Sequence, residues 1–172
     1  MNPFESEIII YDLVDAVVDG NLPKAEMLIR LKSADPNKRI SSGSPFEIAC
    51  KLGNLDMMEL LHELGGRIDF DSSEGKAFLL DLIRDDQDRA IKFFLEHGLS
   101  MNIRFDPGKN TMLHIASDFD SRNVAALLVA RGADLDARNI YNQRPIDKAA
   151  SRFMYNLLRA ASLGTCNHEQ SN

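Results

Sequence analysis

The feature that most constrains this chain is a recurrence with a fixed period. Gly65, Gly98 and Gly132 stand 33 and 34 residues apart, and an adjacent apolar pair precedes each: Leu60-Leu61, Phe93-Phe94 and Leu127-Leu128. Met27-Leu28 continues that column 33 residues upstream. A second column runs Ser44-Pro45-Phe46-Glu47-Ile48-Ala49, Ala77-Phe78-Leu79-Leu80-Asp81-Leu82, Thr111-Met112-Leu113-His114-Ile115-Ala116, Arg144-Pro145-Ile146-Asp147-Lys148-Ala149. A third is the pair Gly20 and Gly53, again 33 apart. Three columns in one register mean that a short supersecondary unit is repeated. Such a unit cannot bury its own apolar face, so its copies must stack.

The units read as helix–turn–helix followed by a loop. Ser44 with Glu47 three positions on, and Pro45 between them, is a capping box with proline at the first helical position. Pro23 suits the first turn of a second helix. The apolar sets Ile9, Leu13, Ala16, Val17; Met27, Leu28, Leu31; and Leu55, Met58, Leu61, Leu64 recur at helical spacing and are expected to face the core. Ser6 is expected to cap the first helix. Asp86 and Asp120 stand where Gly20 and Gly53 mark the turn between helices. That turn needs a left-handed residue, and Asp is among the next-best occupants after Gly. The extra residue of the longer spacing falls in Arg104–Lys109, a loop where insertion costs little.

Thr111-Met112-Leu113-His114-Ile115-Ala116 resembles the T-P-L-H-x-A signature of an ankyrin repeat, and Gly132-Ala133-Asp134 resembles the G-A-D that closes its second helix. The period of 33 fits that family better than the 34 of a tetratricopeptide unit. The resemblance implies an all-α ankyrin-repeat solenoid of about five repeats: 6–39, 40–72, 73–106, 107–139 and a shortened 140–163, the outer two acting as caps of a single domain, 1–163. Residues 164–172 are expected to be a disordered tail. Family resemblance further implies that the fingers and first helices line a concave face that binds other proteins, and that His114 is structural, its ring bonding backbone in the neighbouring finger.

Composition narrows the function. A net charge of −6 disfavours a nucleic-acid partner and favours a protein with a basic surface. With 44% hydrophobic residues but no long apolar run, no membrane span is expected. The acidic opening MNPFESEIII lacks the basic region of a secretory signal. Two cysteines, Cys50 and Cys166, give no disulfide framework, which points to a reducing, cytoplasmic setting. His62 and His97 fall in the last turns of second helices, where a cation is favoured, and show no paired ligand spacing; neither metal nor cofactor is expected.

The candidate partner-binding residues lie on loops and first helices. Ile140 and Tyr141 sit at a finger tip, where no core needs them, and read as interface anchors. Phe119, at the end of a first helix, is a second anchor. Phe70 and Phe105 lie at finger bases and fit either interface or fold. Arg39, Lys51, Arg84 and Arg138 would supply charged rim contacts. Asp85 and Asp118 are read as matching positions on adjacent first helices, a negative patch within the run Asp81, Asp85, Asp86, Asp88, Asp118, Asp120. The expected function is non-catalytic: binding, and so blocking, a protein partner as an inhibitor, immunity-type protein or adaptor, by a chain monomeric when free. Two alternatives are self-association through Ile140 and Tyr141, and an enzyme using Asp85 and Asp118.

Overall fold

The turns between paired helices, and the starts of the helices at Pro45–Leu52 and Met112–Phe119, fall on signals that recur with the repeat. The structure, a computed structural model, describes the backbone of residues 3–166 and the side chains of residues 7–164. It divides into two compact units, Met1–Asp69 and Phe70–Asn172. No helix among the described residues is long and apolar enough to cross a membrane.

The first unit holds α1 (Pro3–Val18), α2 (Leu22–Lys32), α3 (Pro45–Leu52) and α4 (Leu55–Glu63). α1 packs on α2 and α3, α4 on α2 and α3. Gly20 and Gly53 make the interhelix turns with φ of 68° and 62°. Directly after each, Asn21 and Asn54 cap the next helix, accepting the amides of Lys24 and Met57 at 3.1 Å. The capping box forms as expected: the Glu47 amide donates to Ser44 Oγ, and the Ser44 amide donates to Glu47 Oε2. Leu13, Ala16, Val17, Phe46, Ala49, Met57, Met58 and Leu61 are fully buried. Cys50 joins them as a small core residue, and burial pushes its thiol pKa far up.

Three expectations fail here. α1 starts at Pro3, so Ser6 lies inside the helix and not ahead of it. Met27 and Leu31 are exposed, and Ala25 and Leu28 carry the buried stripe of α2. Leu55 is also exposed, and Met57 takes its place in the core. The reason is angular: the face of α2 and α4 turned to neighbouring helices is narrower than the set of apolar residues.

The second unit holds α5 (Ser73–Arg84), α6 (Asp88–Glu96), a short hairpin of β1 (Arg104–Phe105) and β2 (Asn110–Thr111), α7 (Met112–Phe119), α8 (Arg122–Ala130), a 3-10 turn at Pro145–Lys148 and α9 (Arg152–Cys166). α5 packs on α6 and α7, α8 on α6, α7 and α9. α5 begins five residues before the position its register assigns. Ala77 cannot cap, whereas Ser72 accepts the Gly75 amide at 3.0 Å and starts the helix there. Part of what reads as a finger is therefore helix.

Asp86 and Asp120 adopt the expected left-handed backbone, both at φ 55°. Their carboxylates do more than fill a turn. Asp86 accepts the amides of Asn123 (3.2 Å) and Val124 (2.9 Å) and the Asn123 side-chain amide (2.9 Å), capping α8 from the preceding repeat. Ser121, at the N-cap position itself, makes no cap bond. Asp120 in turn accepts the Ser151 hydroxyl, whose oxygen takes the Met154 amide at the start of α9. The two carboxylates thus stitch the third repeat to the fourth and the fourth to the fifth.

The last repeat has its first helix reduced to the 3-10 turn. Met154 and Leu158 are its buried anchors, while Phe153 is exposed. α9 runs on through Gly164 to Cys166, where a disordered tail was expected. His168 and the rest of that tail lie outside the described residues.

Candidate functional site

In the second unit two consecutive fingers are bound together at their tips. The first is the β1–β2 hairpin, pairing Arg104 with Thr111 and Phe105 with Asn110. Its turn is closed by Lys109 at φ 55° and a 2.9 Å ion pair from Lys109 Nζ to Asp106 Oδ1. The second runs from Ala137 to Gln143 around Asn139, which is buried. Asn139 Oδ1 accepts the amides of Tyr141 (2.9 Å) and Gln143 (3.0 Å), and its Nδ2 donates to Asn110 Oδ1 (2.9 Å) and Gln143 Oε1 (3.1 Å). The Ile140 amide donates to the Gly108 carbonyl at 3.1 Å, joining tip to tip. Arg104 Nη1 bridges the same pair, donating to the carbonyls of Lys109 (3.0 Å) and Arg138 (2.9 Å).

His114 anchors the second finger from below. It is fully buried. Its Nδ1 accepts the Thr111 amide (3.2 Å), so Nε2 carries the proton and donates to the Gln143 carbonyl (2.8 Å). Burial holds its pKa below the usual histidine range. The structural role expected of His114 is the one it has.

On this fixed frame Ile140 is 57% exposed and Tyr141 67%. Neither fills a core, as their loop position suggests. Phe70 and Phe105 resolve the other way. Phe105 is buried, and Phe70 packs edge-on against Phe94 at 4.8 Å.

Phe119 is 46% exposed at the C-terminus of α7, and the Arg84 guanidinium lies 4.5 Å above its ring. Two candidate residues meet in one cation–π contact, of order 0.5–1 kcal/mol at an exposed site. Asp85 and Asp118 do not form the expected pair. With Asp86 and Asp120 in equivalent turns, Asp85 corresponds to Phe119, and Asp118 to Arg84. Asp118 is paired with Lys148 Nζ at 2.9 Å. Asp85 is exposed and does not share a position with Asp118, because one residue of register rotates a side chain by about 100° on a helix. Among the described residues, no group of three or more His, Cys, Asp or Glu is placed to hold a metal.

The remaining cations have structural work. In the first unit Arg39 pairs with Glu47, the buried capping-box carboxylate, and Lys51 is exposed in the last turn of α3. In the second, Arg138 Nη1 donates to the carbonyl and side chain of Asn142. His62 Nδ1 lies 3.2 Å from the Gly66 carbonyl and 3.1 Å from Arg67 Nη1, and His97 Nδ1 lies 2.8 Å from the Phe93 carbonyl.

Residues 46–139, more than half of the chain, match the family model of ankyrin repeats, in three copies. The chain belongs to the ankyrin repeat family. Its ankyrin repeats give it an all-α repeat fold and mark it as a protein–protein interaction module. Curated relatives are distant. An ankyrin repeat protein of Fowlpox virus is 27% identical over 74% of this chain and 31% of its own length. Alpha-latrocrustotoxin-Lt1a of Latrodectus tredecimguttatus is 26% identical over 81% of this chain and 8% of its own. The B-cell lymphoma 3 protein homolog of Mus musculus is 29% identical over 65% of this chain and 25% of its own. The chain thus spans less than a third of the length of each of these ankyrin relatives.

Sequence reasoning missed two residues that shape the ankyrin fingers here. Asn139 was legible only as a loop residue, although Asn is a common starter of side-chain-closed turns. Arg104 gave no signal, since its two acceptors are carbonyls that only the fold brings near it.

Proposed function

We propose that this ankyrin-repeat chain binds a protein partner through the paired finger tips of its second unit, with Ile140 and Tyr141 as anchors, and acts by occupying or blocking that partner. The observation that carries this is the exposure of two large side chains on a loop whose backbone is fixed by Asn139 and His114. A rigid loop loses little entropy on binding, so the apolar area it buries is converted efficiently to affinity. Arg84 and Phe119, at the ends of α5 and α7, extend the same reading to the first helices, with Asp85, Asp118 and Arg138 as rim contacts. Arg39 and Lys51 would act as rim residues of the first unit. An inhibitor, an immunity-type protein and an adaptor all work in this way. The free, buried Cys50 supports a reducing, cytoplasmic setting.

The test is an affinity capture from host lysate with mass spectrometry, comparing wild type with an Ile140→Ala, Tyr141→Ala double variant. A protein retained by wild type and lost by the variant is the expected result. Equal retention by both moves the site off the finger tips. A mass that rises with concentration in light scattering, and falls to a monomer in the double variant, would instead establish self-association.

A further inference from the structure

Within the two finger tips proper, residues 104–111 and 137–143, three cations (Arg104, Lys109, Arg138) stand against one carboxylate (Asp106), the opposite sign to the net charge of the chain. The carboxylates of these two fingers are largely accounted for. Asp106 is paired with Lys109, and Asp136 and Asp147 both face Arg144 at 3.5 Å. Asp134 accepts the Asp136 amide at the finger base. Arg104 and Arg138 are left. Both are exposed, and each donates only through Nη1, to main-chain carbonyls and the Asn142 amide oxygen. Neither meets a carboxylate among the described residues. A guanidinium has five N–H donors in a planar fork, so each arginine retains donors suited to a carboxylate.

Arg104 also donates to the carbonyl of Arg138, which holds the two positive residues side by side although they repel. A neighbouring pair of arginines that make no ion pair of their own (the nearby Asp147, which feels the charge of Arg138, is bonded to Arg144), beside two exposed apolar anchors, is complementary to one kind of ligand. We propose that the finger tips recognise an acidic segment of the partner protein in which Asp or Glu stands next to a large apolar residue. The carboxylates engage Arg104 and Arg138, and the apolar side chain packs on Ile140 and Tyr141. This rests on the protein-binding reading above and reverses the basic partner that the net charge of −6 suggests. The reversal is physical: fields from distant charges are screened within about 8–10 Å, so the contact surface decides. Two cations are too few for a nucleic acid, whose binding rests on many phosphate contacts made by a chain of favourable charge.

The experiment selects from a displayed library of random dodecapeptides on the full chain, then measures the winners by fluorescence anisotropy. Enrichment of Asp or Glu beside Leu, Ile, Phe or Tyr is expected. Affinity should fall about tenfold or more in Arg138→Gln and in Tyr141→Ala, each first shown to melt cooperatively near wild type. It should also fall for the same peptides with Asp and Glu replaced by Asn and Gln, a control that leaves the protein untouched. Amide peptides that bind as well as the acidic ones would overturn the proposal. Peptides that bind wild type and both variants equally would also overturn it, while leaving protein binding at another face intact. So would a twenty-residue oligothymidine or phosphatidylserine vesicles displacing the peptides, since the tips would then read any polyanion. Failure to select any peptide counts against recognition of a linear segment. The lysate capture above separately decides the broader reading.

Discussion

Asp86 offers a prediction in which two effects of opposite sign compete. Its backbone is left-handed at φ 55°, and its carboxylate caps α8 through three hydrogen bonds at 2.9–3.2 Å. An L residue pays about 1–2 kcal/mol for that backbone, Asp somewhat less than most. A helix cap is worth about 1 kcal/mol, with some tenths more for a carboxylate at the positive end of the helix. Asp86→Ala keeps the strain and loses the cap, so it should cost about 1–2 kcal/mol. Asp86→Gly loses the cap but releases the strain, so the net cost should be about 0–1 kcal/mol. Urea unfolding followed by circular dichroism gives both values from the midpoints, if the slopes agree. The refuting result is parity: if Gly destabilises as much as Ala, backbone strain plays no part. A Gly variant clearly more stable than wild type would show that the cap across the repeats contributes nothing.

Other expectations follow from burial and partner geometry. Leu128 is 1% exposed between α8 and its neighbours, so Leu128→Ala should cost about 2–5 kcal/mol in the same assay. Tyr141→Ala should change stability by less than about 0.5 kcal/mol, because the finger is held by Asn139 and not by the ring; an unfolded variant would make Tyr141 a core residue. His114 should make stability depend on pH. Its folded pKa lies below that of the unfolded chain, about 6.5, because burial opposes the charged ring and Nδ1 already faces the Thr111 donors. The unfolded chain therefore binds the proton first as pH falls. The contribution is fully present above about pH 6.5 and is lost progressively as pH drops towards the folded pKa. Melting temperatures from pH 7.5 to 5.5 should fall in wild type and flatten over that window in His114→Gln; parallel curves would exclude His114 as the source.

The sequence by itself determined the repeat. Glycines at Gly20, Gly53, Gly65, Gly98 and Gly132 fixed the turns, and Ser44–Glu47 and Thr111–His114 fixed helix starts, because caps and left-handed turns are local chemistry that few residue types can supply. The same locality made Asp86 and Asp120 readable as glycine substitutes, and Ile140 and Tyr141 readable as side chains that a loop has no internal use for. Position within a helix was less secure. Ala77 cannot cap and Ser72 can, so α5 started early, and the extra residue between Gly98 and Gly132 left Asp85 and Asp118 out of register with one another. Only the tertiary structure decided what lies across the repeats. The Asp86 carboxylate at the start of α8, Arg104 on the carbonyls of Lys109 and Arg138, and Asp118 on Lys148 each join residues about 30 or more positions apart, or carbonyls with no side chain to announce them. Periodicity says which residues recur. Which carboxylate meets which cation, and so what charge the finger tips present, is set by packing distances of about 3 Å that no single-sequence pattern encodes.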